Sequence, residues 1–221
     1  MTTLLQQVND ELSGLVAGVK RSLVQVLSGN RGGGAGSIWH PDGLILTNAH
    51  VVRTRTPQVI LPDGTRLAAR VLAHDRHLDL AALSVEATGL PSMELGDSRT
   101  LQPGQWVTAL GHPWGVPSAA TSGVVISVGQ DLPEMLPEML PEMLPEMLPE
   151  MSPEIPNQER ELIVVGLQLR PGYSGGPLVD DRGRLVGLNT MRVGPEVGVA
   201  VPVQVVKEFL RDRLGSADWV S

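Results

Sequence analysis

Three short turn signals constrain most strongly what this chain can fold into. They are Pro41-Asp42-Gly43, Pro62-Asp63-Gly64 and Asp181-Arg182-Gly183, and each one separates two short runs of apolar or β-branched residues. These residue types favour tight turns, because proline presets φ, aspartate binds nearby backbone N–H groups and glycine accepts a positive φ. Turns of this kind between short apolar runs predict antiparallel hairpins. Hairpins distributed along the chain predict an all-β barrel or sandwich.

Helical periodicity is limited to the two ends of the chain. Apolar residues recur there every three or four positions, at Leu4, Leu5, Val8, Leu12, Leu15, Val16 and Val19 and again at Val205, Val206, Phe209, Leu210 and Leu214. The first set predicts an amphipathic helix within residues 1–22, and the second predicts a helix at 203–214. Two β-rich halves lie between these helices, and we expect their boundary near residues 90–102.

A tandem repeat interrupts the second half. Leu-Pro-Glu-Met occurs five times between Leu132 and Met151, and a degenerate sixth unit follows at Ser152–Ile155. A proline at every fourth position is incompatible with a helix and with a central strand. We therefore predict an extended surface loop with polyproline character at residues 131–159. Two alternatives stay open: a neutral duplication, which a surface loop tolerates at small entropic cost, or a loop that regulates the protein.

The net charge of −7 originates in this segment. Residues 131–161 contain nine acidic residues and one arginine, so the rest of the chain sums to +1. A nearly neutral fold without a basic stripe, in a chain with only 3% aromatic residues, argues against a nucleic acid as partner.

The composition excludes further classes of protein. The chain has no cysteine, which excludes a disulfide framework, a thiol nucleophile and a thiolate metal site. Apolar runs such as Val197–Val203 are too short to cross a bilayer, and the first ten residues lack the pattern of a secretory signal. We therefore expect a cytoplasmic protein with no membrane span.

The segment Gly172-Tyr173-Ser174-Gly175-Gly176-Pro177 suits a nucleophilic serine. A serine hydroxyl needs a base to take its proton and backbone N–H groups aimed at the developing oxyanion. A glycine two positions before Ser174 lets the chain turn so that the N–H groups of residues 172 and 174 converge. The alternative is a glycine-rich turn between two strands.

A histidine and an aspartate stand in apolar surroundings. His50 ends the run that begins at Leu46, and Asp79 is flanked by Leu78 and Leu80. A buried carboxylate is costly unless it is paired, and a histidine N–H is a suitable partner whose tautomer the carboxylate would hold. The alternatives are a structural histidine and a solvated aspartate at a strand edge.

Together these segments resemble the three catalytic blocks of trypsin-like serine proteases, in the order His, Asp, Ser, and most closely those of the bacterial HtrA/Deg branch. The matching segments are Thr47–Val52, Asp79–Ala81, Leu95–Ser98, Gly104–Val107, Gly111–Gly115, Thr121–Val125, Gly172–Pro177 and Gly198–Pro202. Removing the five repeats shortens the spacing between Asp79 and Ser174 from 95 to 75 residues, which is typical of the branch. The repeat is therefore interpreted as an insertion into a protease domain.

The resemblance implies two six-stranded antiparallel β-barrels of the chymotrypsin type, at residues 23–95 and 96–221, with the active site in the cleft between them. It implies that His50 is general base and acid, that Asp79 orients it, and that Ser174 is the nucleophile. The N–H groups of Gly172 and Ser174 would form the oxyanion hole. The reaction would be peptide hydrolysis through an acyl-enzyme, without metal or cofactor, and the partners would be protein or peptide substrates.

Two departures from the branch concern function. Tyr173 stands where an asparagine is usual, and only its backbone is expected to matter. No PDZ domain follows the terminal helix in this chain, so we expect no regulation of that kind here.

Substrate preference is predicted from the residues that align with the specificity pocket, which are Gln168, Thr190, Met191 and Arg192. Gln168 is uncharged, so a preference for Arg or Lys at P1 lacks its usual acidic partner. Either Arg192 enters the pocket and favours an acidic or polar P1 residue, or it faces solvent and the pocket takes small or medium aliphatic residues. We favour the second alternative.

The predicted function is that of a serine endopeptidase, by analogy one that acts in protein quality control. The alternatives are a latent protease that acts mainly as a peptide-binding or chaperone-like module, and an inactive scaffold. The complete triad argues against the scaffold. A homo-oligomer stays open.

Overall fold

The computed structural model describes residues 3–29, 33–129 and 161–215. The loop predicted at 131–159, with its repeats, lies outside the described residues. No helix within the described part of the chain is long and apolar enough to cross a membrane.

The first half forms a closed antiparallel barrel that follows an N-terminal helix. Helix α1 covers Leu4–Lys20, and the strands are β1 (Leu23–Leu27), β2 (Gly33–His40), β3 (Leu44–Thr47), β4 (Gln58–Ile60), β5 (Arg66–Asp75) and β6 (Leu80–Val85). The barrel closes in the order β1-β2-β3-β6-β5-β4.

The second half forms another closed antiparallel barrel and ends in a helix. Its strands are β7 (Trp106–Gly111), β8 (Ala119–Gly129), β9 (Leu162–Gly166), β10 (Pro177–Val179), β11 (Leu185–Gly194) and β12 (Val197–Pro202), and helix α2 covers Val203–Leu214. These strands close in the order β10-β11-β12-β9-β8-β7. The predicted fold class, two six-stranded barrels with a helix at each end, is confirmed by the described residues.

The three turn signals form hairpins, as predicted. They join β2 to β3, β4 to β5 and β10 to β11, and all three pairs are antiparallel. Gly43 shows why the first turn needs glycine, since its φ is 88° and an added Cβ would lie 2.3 Å from the carbonyl oxygen of Val85. An L side chain would be strained there.

The two barrels share an apolar core that also takes up parts of both helices. Each barrel has its own interior cluster, and a third cluster joins residues of both barrels to Val19 of α1 and to Phe209 and Leu210 of α2. Burying each large side chain contributes about 1.5–3 kcal/mol. This shared cluster holds the two barrels against each other, so that the cleft between them has a defined shape.

The first two turns of α1 extend beyond this core. A capping box between Thr3 and Gln6 begins the helix, but Leu4, Leu5 and Val8 are exposed. The apolar side of the helix becomes buried only toward its C-terminal end, at Val19.

Candidate active site

His50 lies in a single 3₁₀ turn, Ala49–Val51, directly after β3. Strand β3 is buried along its length, and the Thr47 hydroxyl donates to the carbonyl oxygen of Ala35 at 2.7 Å. The chain therefore leaves a rigid strand and turns at once. His50 reaches the edge of the cleft with its side chain 21% exposed.

Asp79 precedes β6 and lies directly against His50. The Nδ1 atom of His50 is 3.0 Å from Oδ1 and 2.9 Å from Oδ2 of Asp79, and the His50 backbone N–H donates to Oδ1 at 3.0 Å. The Thr190 hydroxyl donates to Oδ2 at 2.5 Å. A carboxylate on Nδ1 keeps the proton on that nitrogen and leaves the lone pair of Nε2 available to accept one.

Asp79 has a left-handed backbone conformation, with φ of 53°. Such a conformation in a residue other than glycine costs about 1–3 kcal/mol and persists only where the surroundings impose it. Here the Asn48 amide donates to the Asp79 carbonyl oxygen at 2.9 Å, while the side chain is held by His50 and Thr190. The strain thus occurs at the residue whose carboxylate is aimed at His50.

Ser174 lies in the loop before β10, in which several backbone groups are hydrogen-bonded. Tyr173 N–H donates to Arg170 O, Gly175 N–H to Asn189 O and Gly176 N–H to Tyr173 O, while Gly172 O and Ser174 O accept from His112 and Ala35. Among the described contacts, the N–H groups of Gly172 and Ser174 donate to no protein acceptor. These are the two donors that the sequence predicts for the oxyanion hole.

A tight turn orients the first of these donors. Arg170, Pro171, Gly172 and Tyr173 form it, closed by the 3.1 Å bond from Tyr173 N to Arg170 O. Proline followed by glycine with φ of 106° is the residue pattern of a type II turn. An added Cβ on Gly172 would lie 2.4 Å from the carbonyl oxygen of His112, so no other residue fits without movement.

A chain of hydrogen bonds joins the three predicted catalytic residues through Thr190. The Ser174 hydroxyl donates to the Thr190 carbonyl oxygen at 3.0 Å, and the Thr190 hydroxyl reaches Asp79, which holds His50. Within the described residues, no hydrogen bond joins Ser174 Oγ to His50. The Ser174 hydroxyl thus points to Thr190 O, and hydrogen bonds between catalytic groups are commonly long or unformed in sites without substrate.

A small cleft, open to solvent, lies beside Ser174. Its lining comprises Leu169, Arg170, Pro171, Tyr173, Ser174, Thr190, Met191 and Arg192. Three of the four residues predicted from sequence for the pocket are therefore in the lining. The others directly precede Ser174 in the chain, and that adjacency was the signal in the sequence that could have identified them.

The structure places Gln168, the fourth predicted residue, outside this lining. Residues 167–170 alternate between buried and exposed, so that Leu167 and Leu169 enter the barrel while Gln168 faces solvent. The Gln168 side chain accepts a hydrogen bond from Arg170 at 2.6 Å. The Arg170 guanidinium in turn lies 4.7 Å from the ring centroid of Trp114, a distance that suits a cation–π contact.

His112 supports the loop from the end of β7. Its backbone N–H donates to Gly172 O at 2.9 Å, and its Nδ1 accepts from the backbone N–H of Ser118 at 3.2 Å. Burial lowers the pKa of its imidazole. A neutral imidazole whose Nδ1 accepts a hydrogen bond is consistent both with the lowered pKa and with the bond from the Ser118 N–H. In the described part of the chain, no three acidic or histidine side chains are grouped so that they could hold a metal ion.

Comparison with known proteins extends these observations. The sequence profile of the trypsin-like peptidase domain matches residues 34–188. The chain is 34% identical over 180 residues to the putative serine protease HhoB of Synechocystis sp., covering 80% of this chain and 39% of that protein. It is also 34% identical over 192 residues to the mitochondrial serine protease HTRA2 of Drosophila pseudoobscura, covering 83% of this chain and 41% of that protein.

A bacterial relative and a solved structure agree with these matches. The probable periplasmic DegP-like serine endoprotease of Halomonas elongata is 34% identical over 194 residues, which cover 85% of this chain and 36% of that protein. A structure of the HtrA-type protease AlgW with a tripeptide superposes with a TM-score of 0.74 at 25% identity, over 89% of this chain and 61% of that chain. The chain spans about two fifths of the length of the curated relatives it matches. It belongs to the trypsin-like peptidase domain family and is similar to its HtrA-type serine proteases.

Proposed function

We propose that this protein is a serine endopeptidase that hydrolyses peptide bonds through an acyl-enzyme. Ser174 is the nucleophile, His50 is the general base and then the general acid, and Asp79 orients His50. One observation carries the proposal: a carboxylate-bound histidine is joined through Thr190 to a serine, and within the described residues the N–H groups of Gly172 and Ser174 have no acceptor. Gly172 and Ser174 are both partly exposed, so their N–H groups remain accessible to the carbonyl oxygen of a bound substrate.

The reaction follows from these contacts. Ser174 Oγ leaves the Thr190 carbonyl, gives its proton to Nε2 of His50 and attacks the substrate carbonyl carbon. The negative charge on the carbonyl oxygen is bound by the N–H groups of Gly172 and Ser174, and the imidazolium is stabilised by Asp79. His50 then protonates the leaving amine as the C–N bond breaks. Water repeats the sequence on the ester and releases the acid, which regenerates Ser174.

For the P1 residue we propose a small or medium aliphatic side chain. Leu169 and Met191 supply apolar lining to the cleft, and Arg192 is exposed at its border. The other arginine of the lining, Arg170, is bonded to Gln168 and lies against Trp114. A panel of peptides that differ only at P1 tests this proposal: cleavage after Val or Ala is expected, and selective cleavage after Glu or Asp would contradict it.

A second candidate is a latent protease that acts mainly as a peptide-binding or chaperone-like module. The observation that favours it is the bond from the Ser174 hydroxyl to Thr190 O in place of His50. In that case substrate occupies the cleft while the serine stays in its unreactive rotamer.

The biological role is proposed by similarity alone. Relatives named HTRA2 and DegP-like suggest action on proteins in quality control, and a homo-oligomer remains one alternative for the assembly. The cytoplasmic location stays a prediction.

Labelling with a fluorophosphonate probe, together with casein hydrolysis, tests the proposed reaction. The wild type is expected to be labelled and to cleave casein, and Ser174→Ala is expected to do neither. Labelling without cleavage of casein or peptides would favour the latent module. A wild type that is folded but neither labelled nor active would contradict the proposed hydrolysis.

A further inference from the structure

The tyrosine between the two proposed N–H donors packs into the second barrel and also forms part of the cleft lining. Tyr173 is 5% exposed and belongs to the apolar cluster that fills this barrel, together with residues such as Val107, Leu169 and Leu178. Its two chain neighbours supply the N–H groups that would bind the oxyanion. The ring is thus the part of the nucleophile loop that enters a packed core at the point where both donors are attached.

The end of β7 is shaped to receive this residue. Gly111 lies so close that an added Cβ would be 2.6 Å from Tyr173 Cα and 3.0 Å from its ring carbon Cδ1. A close-packed interior permits few alternative positions for a ring. The backbone on either side of Tyr173 inherits this restriction, because the residue has only its own two dihedrals with which to absorb movement.

The backbone bonds of the loop depend on the same placement. Tyr173 N–H closes the turn onto Arg170 O, and Tyr173 O accepts from Gly176 N–H at 2.9 Å. The peptide before Tyr173 presents Gly172 O to His112, and the peptide after it carries the N–H of Ser174. If the ring left its site, the peptide after Tyr173 could rotate and turn the Ser174 N–H away. The turn closed by the Tyr173 N–H on Arg170 O could also open, and the Gly172 N–H inside that turn would lose its orientation.

We propose that Tyr173 is a positioning residue for the oxyanion hole, and that its buried ring keeps the two N–H donors oriented before substrate binds. This inference rests on the proposed hydrolysis. It departs from the expectation from sequence that only the backbone of Tyr173 matters, because it assigns a role to the ring. Its hydroxyl group has no hydrogen bond to a protein atom among the described contacts, so the role belongs to the ring.

The effect is expected on the chemical step more than on binding. Donors aimed at the oxyanion act in the transition state, so their misplacement lowers kcat and leaves KM nearly unchanged. Removal of one such donor lowers kcat by about 10²–10³-fold. Tyr173→Ala keeps both donors but holds them less firmly. We therefore expect its kcat to fall by roughly tenfold or more.

The test compares three variants of the full chain. Tyr173→Ala removes the ring, Tyr173→Phe keeps it, and Ile163→Ala opens a cavity in the same cluster on β9, at a fully buried residue that is not part of the cleft lining. For each protein, kcat, KM, the rate of fluorophosphonate labelling and the melting temperature are measured. Melting temperatures show whether Tyr173→Ala and Ile163→Ala are destabilised to a similar degree.

The expected result separates positioning from stability. In Tyr173→Ala we expect lower kcat and a lower labelling rate, with KM within about twofold of the wild-type value. In Tyr173→Phe we expect kcat and the labelling rate within about twofold of the wild-type values. In Ile163→Ala we expect a lower melting temperature, with kcat near the wild-type value. Wild-type kcat in a folded Tyr173→Ala would overturn the proposal, and so would an equal loss in Ile163→Ala. A folded wild type that is neither labelled nor active would overturn the proposed hydrolysis as well, which distinguishes the two failures.

Discussion

Gly111→Ala is the substitution whose effect on the site follows most directly from distances. The new Cβ would lie 2.6 Å from Tyr173 Cα and 2.7 Å from Gly172 O, whereas ordinary contacts of a Cβ begin at 3.4 Å. The nearest atoms are backbone, so no side chain can rotate away. The loop must therefore retreat by about 0.8 Å, the difference between 3.4 and 2.6 Å.

This displacement acts on the segment that carries both oxyanion donors. A misplacement of about 1 Å in a catalytic group can cost about 10²-fold in rate. We therefore expect kcat to fall by about 10²-fold in Gly111→Ala, while KM changes by less than about threefold, because the donors act mainly on the transition state. Overpacking of this kind also costs about 1–3 kcal/mol of stability.

The assay is peptide hydrolysis at 25 °C, with melting temperatures recorded to show that the variant is folded. Gly14→Ala is the control, because Gly14 lies on an exposed part of α1 and an added Cβ there has no neighbour within 4 Å. The control is expected to keep wild-type kcat. If a folded Gly111→Ala also kept wild-type kcat, the loop would have to tolerate the added methyl without moving its donors, and the reasoning would fail.

Three further predictions concern other parts of the molecule. Thr190→Val removes the hydrogen bond from the Thr190 hydroxyl to Asp79 and is expected to lower kcat by about tenfold, because a hydrogen bond to a charged group contributes about 1.5–3 kcal/mol. Thr190→Ser keeps a hydroxyl and should retain activity. Equal activity in the two variants would rule out a role for the hydroxyl in holding Asp79. Deleting Leu132–Met151 is expected to leave kcat/KM, melting temperature and oligomeric state unchanged, and a change in any of them would support a regulatory repeat. Burial lowers the pKa of His112, so the unfolded chain binds a proton first as the pH falls below about 6.5 and folding stability is lost there. Between pH 7.5 and 5.5 the melting temperature of His112→Asn should therefore fall less than that of the wild type. Equal falls in the two proteins would contradict a lowered pKa at His112.

Much of the fold was accessible from sequence because its signals are local. The three turn signals predicted hairpins that the structure confirms, and the spacing of apolar residues predicted helices that the structure has at Leu4–Lys20 and Val203–Leu214. Turn residues act through their own φ and side chains, and helical periodicity acts over a few residues. The pairing of two barrels around a cleft, by contrast, was implied only by the family resemblance, and the core that both barrels share is a finding of the structure.

In the candidate site, too, local sequence signals account for some features and long-range packing accounts for others. The sequence by itself determined which histidine, aspartate and serine to consider, because each stands in a short segment of distinctive residues. Only the tertiary structure decided that Thr190 bonds both Asp79 and Ser174, across a separation of 111 residues in the first case, and that Tyr173 is a buried ring. It also decided that Gln168 faces solvent while Leu169 lines the cleft. The physical reason is that a side chain's neighbours depend on strand register and on the packing of segments far apart in the chain, neither of which a local pattern of residues specifies.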